Sequence, residues 1–219
     1  EMPDYNRVAY TSAFMQRKCS PAFCEDVPQT VVHWGLPALA SLPTVAPRQF
    51  ARPEPLRIIY CGQIRAHKGL IRLIQALHLT RQPHTLTVIG DDKTDYGAFC
   101  RAYVEEAGLS ERVVFTGKLP PDEVKQRMVS SGELMVLPSL SGGPDGFEEP
   151  FSIVLVQAMA AGLAVAASRS GGSVEAIEEE VSGLFFNSDI PKTIADCIDR
   201  FEQDRAFAAA SATAARTRA

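Results

Sequence analysis

From Leu56 onward the chain alternates short apolar runs with amphipathic segments. The apolar runs are at 56–61, 85–89, 113–116, 134–137, 163–167 and 183–186. Helical patterns lie between them at about 68–79, 96–107, 121–131, 151–161 and 190–204. Short unbroken apolar strands that alternate with helices are typical of a parallel sheet covered on both faces. We therefore predict an α/β fold with a Rossmann-like parallel sheet and helices on both faces.

Local signals mark several ends of these elements. Gly108 and Gly162 follow helical segments, at positions where a left-handed glycine commonly ends a helix. Pro121 and Asp122 are typical of a helix start. The alanine-rich stretch at 206–219 is compatible with a helix or with a frayed end.

The first fifty residues lack this alternation. They contain two short apolar runs, at 7–12 and 30–36, separated by a polar segment. The sequence ARPEP at 51–55 then brings two prolines into five residues, which is typical of a boundary. We predict a separate segment at 1–50 and a domain at 51–219.

Composition excludes several classes of protein. The formal net charge is −4 and no basic cluster reverses it locally, which argues against a nucleic-acid partner. No apolar run approaches the length of a membrane span, and the N-terminus has neither the basic nor the apolar part of a signal peptide. Five cysteines without a C-x-x-C motif indicate reduced thiols in a cytoplasmic protein.

The segment PSLSGGPDGFEEPFSIVLVQAMAAG at 138–162 combines a glycine-rich loop, an acidic pair and a helix start. Pro150 favours a first helical turn, because its φ is fixed at a helical value and its missing N–H is not needed there. Such a start leaves N–H groups unpaired, and we expect these at Phe151, Ser152 and Ile153. Helix N-termini of this kind bind phosphate.

The carboxylate of Glu149 adds a second requirement. It would repel a bare phosphate, so we expect it to meet hydroxyl groups on a moiety attached to the phosphate. A sugar nucleotide meets that description. The alternative is that Glu149 stabilises the helix N-terminus, a contribution of about 0.3 to 1 kcal/mol that Glu148 already provides.

A second loop, GQIRAHKG at 62–69, follows the first strand of the alternating region. It places Arg65 and Lys68 at a predicted helix start, where cations are unfavourable unless an anion is also present. We therefore assign Lys68 to a diphosphate. The alternative is a solvated helix N-terminus.

These two loops and three further segments resemble the retaining glycosyltransferases of the GT-B fold, family four (glycosyl transferases group one), in their C-terminal, donor-binding half. The further segments are VVFTGKLP at 113–120, VLPS at 136–139, and GGSVEAI with SGLFF within 171–186. The family carries a glutamate, seven residues and a second glutamate. Here the first is Glu149, whereas the second position holds Gln157.

The resemblance implies roles for the matched positions. Glu149 is expected to contact hydroxyls of the transferred sugar and, with Lys68, to act in catalysis. Gln157 is expected to hold the ribose, because an amide can accept from one hydroxyl and donate to the other. A polar residue on a helix surface is the alternative for Gln157.

Two loops of the expected donor site depart from the family or leave alternatives. The family usually has an arginine after the glycine at Gly62; that position is Gln63 here, and Arg65 is expected to supply the missing charge. The backbone of 117–119 is expected to contact the nucleotide base, although Gly117 is equally compatible with a simple turn.

The glycine-rich loop is expected to lie under the sugar, and Ser139 either contacts a phosphate or caps a turn. Gly171, Gly172 and Glu175 are expected to face the same crevice. Besides Lys68 and Glu149, the donor-binding positions that the resemblance implies are Gly62, Gln63, Arg65, Gly117, Lys118, Leu119, Ser139, Gly146, Phe147, Phe151, Ser152, Ile153 and Gln157.

The implied function is transfer of a hexose from a nucleotide sugar to a glycan or lipid acceptor, as in polysaccharide biosynthesis. UDP-glucose is the first choice of donor and GDP-mannose the second. The acceptor is expected on an N-terminal domain of which residues 1–50 resemble the tail, so that the chain alone binds donor and transfers poorly. Association with a membrane surface through that missing domain is compatible with this reading.

Two alternative functions remain, and a metal site is considered and rejected. A sugar-nucleotide-binding module or inactive partner is favoured by Gln157, and an epimerase or phosphorylase of the same architecture is a weaker alternative. The acidic run at 91–95 could ligate a metal ion, but a Gly-Asp-Asp start is typical of a solvated turn and the resembled family is metal-independent. We therefore expect no metal and no cofactor apart from the donor substrate.

Overall fold

The computed structural model describes residues 7–20, 27–32, 50, 53–142 and 147–219. The strands are β1 (Val8–Tyr10), β2 (Gln29–Val31), β3 (Arg57–Cys61), β4 (Thr85–Ile89), β5 (Val113–Gly117), β6 (Leu134–Leu137), β7 (Ala164–Ser168) and β8 (Leu184–Phe186). The helices are α1 (Ala13–Cys19), α2 (Leu70–Ala76), α3 (Asp95–Glu106), α4 (Pro121–Ser130), α5 (Ile153–Ala160), α6 (Ser173–Ala176), α7 (Pro191–Gln203) and α8 (Arg205–Arg218).

The main sheet has six parallel strands in the order β5-β4-β3-β6-β7-β8, which confirms the predicted α/β class. The chain moves outward from β3 to β5 and then returns to place β6 on the other side of β3. The strand order therefore reverses between β3 and β6. In open sheets of this type, ligands bind outside the carboxyl ends of the strands at the point of reversal.

Helices cover both faces of this sheet because its inner strands are buried on both sides. In β3, Ile58 and Tyr60 pack with buried residues of α2, α3 and α7. Their neighbours Ile59 and Cys61 pack with buried residues of α4, α5 and α8. Alternate side chains of a strand point to opposite faces, so one strand serves two cores.

The alanine-rich C-terminal stretch forms the regular helix α8, which resolves the two alternatives in favour of a helix. Asp204 caps it by accepting a hydrogen bond from the N–H of Phe207 at 2.8 Å. Its alanines Ala208, Ala212 and Ala215 are buried, and α8 packs against β7 and α5. Small side chains on the helix allow this close approach to the sheet.

The N-terminal part forms a small unit of its own. Strands β1 and β2 pair in parallel, and α1 contacts both of them. Strand β1 lies within the first predicted apolar run, whereas β2 begins just before the second. The rest of the second run, from residue 33, lies outside the described residues.

Two helix starts near the β3–β6 reversal differ from the predictions. The predicted helix at 68–79 is a 3₁₀ turn at Ala66–Lys68, then Gly69 with a φ of 68°, then α2. A Cβ atom on Gly69 would lie 1.9 Å from the carbonyl oxygen of Pro138, so glycine allows the turn to approach the end of β6. Helix α5 begins at Ile153 rather than after Pro150.

No helix in the described ranges combines the length and the apolar character that a membrane crossing requires.

Candidate functional site

Lys68 and Glu149 form an ion pair at the reversal of the sheet, with Nζ 2.8 Å from Oε2. Lys68 ends the 3₁₀ turn after β3, and Glu149 lies between β6 and α5. Both side chains are largely buried, with 16% and 9% of their surface exposed. The ammonium group of Lys68 and the carboxylate of Glu149 are thus partly removed from water, and their interaction is stronger than it would be at an open surface.

Ser139 is a second hydrogen-bond partner of the Glu149 carboxylate. Its side chain is buried, and its Oγ donates a hydrogen bond to Oε2 of Glu149 at 3.1 Å. The carbonyl of Ser139 accepts from the hydroxyls of Ser168 at 2.5 Å and Ser188 at 3.2 Å. The segments that follow β6 and β8 and the last residue of β7 are therefore joined next to the ion pair. Neither expectation for Ser139 anticipated this contact.

The glycine pair after β7 fixes the backbone of Glu149. The N–H of Gly172 donates to the carbonyl of Glu149 at 2.6 Å. Gly171 has a φ of 52°, and a Cβ there would lie 2.1 Å from the same carbonyl oxygen. These glycines allow a close approach of two backbones. Neither of them lines the clefts described below.

Phe147 covers the ion pair from the other side. Its ring stacks on His67, with centroids 4.2 Å apart, and its centroid lies 4.6 Å from Nζ of Lys68. The N–H of Leu140 donates to the carbonyl of His67 at 2.8 Å, which joins the glycine-rich loop to the 3₁₀ turn. The aromatic face adds a second favourable contact for the ammonium group. Gly146 lies outside the described residues.

A cleft of about 300 Å³ opens at the ion pair. We call it the ion-pair cleft. Its walls are Cys61, Gly62, Gln63, Lys68, Leu137, Phe147, Glu149, Pro150, Phe151, Ser152, Ile153 and Val154. The structure thus brings together most of the residues that the two predicted loops contribute. A larger cleft of about 480 Å³ near the ends of β7 and β8 contains neither Lys68 nor Glu149.

The backbone donors at the start of α5 differ from the prediction. The N–H of Ile153 donates to the carbonyl of Phe151 at 3.1 Å, so it is not available to an anion. Within the described parts of the chain, the N–H groups of Ser152 and Val154 donate no hydrogen bond. Of the three predicted donors, Ser152 therefore remains available, and Val154 joins it because the helix starts later than expected.

A second cleft, of about 410 Å³, adjoins the first, and we call it the outer cleft. Cys61, Gly62 and Gln63 line both clefts. The outer cleft is lined in addition by Ile64, Arg65, Ile89, Gly90, Asp91, Thr94, Lys118, Leu119 and Val124. Arg65 is exposed and lines the outer cleft together with Gln63, whose missing charge it was expected to supply; it does not line the ion-pair cleft.

Gly117 ends β5 next to the outer cleft, with a φ of 73°. Its carbonyl accepts from the N–H of Gly90 at 3.1 Å. The left-handed conformation explains a glycine at this turn. Lys118 and Leu119, which follow it, line the outer cleft.

Sequence reasoning missed Tyr60, which holds the loop shared by the two clefts. Its side chain is fully buried, and its hydroxyl donates to the carbonyl of Gln63 at 2.7 Å. Burial raises the pKa of Tyr60 far above its usual range, so the hydroxyl stays protonated and remains a donor. Burial also raises the pKa of the Cys61 thiol to about 11, so this wall of the clefts is uncharged at neutral pH.

Gln157 lies one helical turn beyond the cleft wall. It is four residues after Ile153 and three after Val154, on the same face of α5. Its side chain is half-buried, forms no side-chain hydrogen bond within the described residues, and is not part of either cleft wall. Its position is compatible with both of the roles considered for it.

Glu175 has a different role from the one expected. Its carboxylate accepts hydrogen bonds from the N–H groups of Ala13 at 2.9 Å and Phe14 at 2.7 Å, at the start of α1. The acidic run at 91–95 also differs from a simple solvated turn, because Asp92 is buried and pairs with Arg101. Among the described residues, no group of three or more His, Cys, Asp or Glu side chains is placed to hold a metal ion.

Comparison with known proteins identifies the family. A model of the family "Glycosyl transferases group 1" matches residues 45–218. An uncharacterised glycosyltransferase of Methanocaldococcus jannaschii is 31% identical over 150 residues, which are 68% of this chain and 36% of that protein. The amylovoran biosynthesis glycosyltransferase AmsK of Erwinia amylovora is 30% identical over 168 residues, 75% of this chain and 40% of that protein.

The chain therefore spans less than half the length of these two relatives. Among solved structures, that of HepE from Anabaena in complex with UDP and glucose superimposes with a TM-score of 0.83 over 97% of this chain and 57% of that protein. Its sequence identity is 23%, and the likeness shows the shared fold, which is that of GT-B glycosyltransferases. Together, the family match over most of the chain and these two relatives show that the chain belongs to the glycosyl transferases group 1 family.

Proposed function

We propose that this chain is the donor-binding half of a retaining glycosyltransferase and that the ion-pair cleft binds the diphosphate and sugar of a nucleotide sugar. The observation that carries this proposal is the contact of 2.8 Å between Lys68 and Glu149 at the reversal of the sheet. A cation and a carboxylate side by side match a ligand with an anionic part and a hydroxylated part next to each other. UDP-glucose is the favoured donor, and GDP-mannose is the second choice.

In this arrangement the diphosphate lies against Lys68 and the N–H groups of Ser152 and Val154. The sugar hydroxyls donate to the carboxylate of Glu149, whose second partner, Ser139, keeps it in place. The ligand replaces the ion pair with one contact to Lys68 and one contact to Glu149. Neither charged side chain is left without a polar partner, which is what a largely buried pair requires.

The base occupies the outer cleft. This assignment is supported by the residues Gly62 and Gln63, which line both clefts and allow one extended ligand to occupy the two together. Backbone groups of Lys118 and Leu119 contact the base, and Gln157 contacts the ribose. Arg65, in the outer cleft, then lies nearer the nucleoside than the site of bond cleavage.

Transfer breaks the bond between the anomeric carbon of the sugar and the diphosphate oxygen and forms a bond from the same carbon to an acceptor hydroxyl oxygen, whose proton passes to the departing diphosphate. Negative charge grows on the leaving diphosphate while the sugar becomes oxocarbenium-like. Lys68 and the N–H groups at the start of α5 stabilise the first charge, and the carboxylate of Glu149 lies beside the second. Charged groups that are fixed in advance act at little reorganisation cost, and the backbone contact of Glu149 with Gly172 provides that fixation for its carboxylate.

The acceptor, a glycan or a lipid, binds to a domain other than 51–219, and residues 1–50 form the end of that domain and the linker. The partial coverage of the relatives supports this division. The chain alone is then able to bind donor and is a poor catalyst, and a cytoplasmic location gives it access to nucleotide sugars.

Calorimetric titration of the chain with UDP, UDP-glucose, GDP and GDP-mannose, with and without a chelator, tests the proposal. We expect UDP-glucose to bind without metal and more tightly than the guanosine ligands. Absence of binding by all four ligands would contradict the donor site. Binding that disappears on chelation would contradict a metal-independent diphosphate site.

The specific observation that favours a second candidate, a binding module without transfer, is the amide of Gln157 in place of the family's second glutamate. A transfer assay on the longer protein, with and without Gln157→Glu, separates the two. Transfer by the unchanged protein supports the enzyme, and transfer that requires the substitution supports the binding module.

A further inference from the structure

Helix α1 of the N-terminal unit packs on the segment that carries Glu149. The hydroxyl of Ser12, just before α1, donates to the carbonyl of Pro150 at 2.6 Å. The same oxygen accepts from the N–H of Met15 at 3.1 Å and so caps the helix. Ser12 is fully buried, so no water competes for these two hydrogen bonds.

The start of α1 is also bonded to the main domain. The carboxylate of Glu175 accepts from the N–H groups of Ala13 and Phe14, two of the donors that a helix start leaves unpaired. Further along α1, Lys18 pairs with Glu148. Contacts from α1 and the residue before it therefore reach Glu148 and Pro150, the two neighbours of Glu149 in the chain.

These contacts leave little freedom to the backbone at Glu149. Its carbonyl is bonded to the N–H of Gly172, and the next carbonyl, that of Pro150, is bonded to Ser12. A Cβ on Gly172 would lie 2.2 Å from the carbonyl oxygen of Pro150, so the turn after β7 already touches this peptide group. A shift of the Pro150 peptide would move the carboxylate of the residue before it.

We propose that Ser12 is a positioning residue: through its hydrogen bond to Pro150, it holds the Glu149 carboxylate in the orientation that receives the sugar of the donor. This inference rests on the proposed function for the role of Glu149. It goes beyond that function because it makes the N-terminal unit part of the donor site. The position of α1 then affects the affinity for the sugar more than the affinity for the diphosphate.

The first test compares UDP with UDP-glucose on the Ser12→Ala chain. Loss of one neutral hydrogen bond is expected to raise the dissociation constant of UDP-glucose about two- to tenfold relative to that of UDP. The constant for UDP itself is expected to change less than that for UDP-glucose, because Lys68, the charged contact of the diphosphate, is not bonded to Ser12. Asp204→Ala is the matched control, since it also removes a helix N-cap, but Asp204 precedes α8 and lines neither cleft.

If Ser12→Ala does not fold, Ser12→Gly replaces it, because glycine at an N-cap costs only a few tenths of a kcal/mol and also lacks the hydroxyl. Equal weakening of UDP and UDP-glucose, or an unchanged ratio, would overturn the inference.

A second test needs no donor. Amide hydrogen exchange of Gly172, whose N–H is bonded to Glu149, is expected to become faster in Ser12→Ala than in Asp204→Ala, in the absence of ligand. If the wild-type chain binds neither UDP nor UDP-glucose, the proposed function fails and this exchange rate alone decides the positional claim. Unchanged protection of Gly172 would then overturn it.

Discussion

Nζ of Lys68 lies 2.8 Å from Oε2 of Glu149, although 81 residues separate them in the chain. The pair forms because β3 and β6 are neighbours in the sheet and each is followed by one of the two loops. We expected an anion beside Lys68, and in the structure the carboxylate of Glu149 is such an anion. In the proposed function, a donor that enters the cleft replaces this contact on both sides.

Lys68→Ala is expected to weaken UDP far more than uridine, because only UDP carries the charge that the ammonium group meets. Loss of a charge-assisted contact corresponds to about 1.5 to 3 kcal/mol. Titration of both ligands gives the comparison, with Lys192→Ala, a lysine paired on the exposed side of α7, as control. A similar loss for UDP and uridine would mean that Lys68 acts only through the structure.

Gly171→Ala is expected to lower the free energy of unfolding by about 2 to 4 kcal/mol. The added Cβ would lie 2.1 Å from the carbonyl oxygen of Glu149, and the alanine would have to adopt a φ of 52°. Gly108→Ala is the matched control, because Gly108 has a φ of 65° with nothing within 4 Å, and the left-handed conformation alone costs about 1 to 2 kcal/mol. Urea unfolding of both variants measures the difference. Equal losses would show that the contact with Glu149 is not tight.

Much of the fold could be predicted from the sequence, because each strand of the main sheet is an apolar run bounded by polar loops. Runs such as Leu134–Leu137 are buried along their whole length, on both faces of the sheet. The ends of such a strand are therefore clear in the sequence. That the loops of Lys68 and Glu149 lie close together could also be predicted, because each loop follows a strand of the sheet. Loops after parallel strands meet at one edge of the sheet.

The start of α5 could not be predicted from local signals. Pro150 favours a first helical turn, but its carbonyl is bonded to Ser12 and that of Glu149 to Gly172. These bonds to distant segments hold the backbone out of the helix as far as Ser152, whose φ and ψ are −86° and 92°. Tertiary hydrogen bonds of this kind leave no trace in the local sequence.

Gln157→Ala is expected to weaken UDP and UDP-glucose by the same factor, by about 0.5 to 1.5 kcal/mol, because the ribose is common to both ligands. Gln157→Glu is expected to restore or improve the binding of both, since a carboxylate accepts from two ribose hydroxyls. Titration of the two variants checks this, with Gln126→Ala on the exposed face of α4 as control. Unchanged binding by Gln157→Ala would leave Gln157 as a surface residue of α5.

Stability is expected to fall below about pH 6.5 because of His84, which is fully buried. Burial lowers the pKa of His84, and the carboxylate of Glu202, 3.5 Å from Nδ1, opposes this shift only in part. The unfolded chain therefore binds the proton more readily. The stability contributed by neutral His84 is complete above the unfolded pKa and declines at lower pH, by at most about 1.4 kcal/mol per pH unit.

Urea unfolding between pH 5 and pH 8 measures this effect. His84→Gln is expected to show a smaller loss of stability at low pH than wild type, whereas His78→Gln, at an exposed position, behaves like wild type. An identical pH dependence for wild type and His84→Gln would contradict the assignment.

The most direct test of the donor site is calorimetric titration of wild type and Glu149→Ala with UDP and UDP-glucose, both in chelator and with melting curves to show that each protein is folded. The account predicts that Glu149→Ala weakens UDP-glucose, while UDP binds unchanged or slightly more tightly because Lys68 loses its competing carboxylate. If Glu149→Ala binds UDP-glucose and UDP in the wild-type ratio, the carboxylate does not contact the sugar, and the central claim is contradicted.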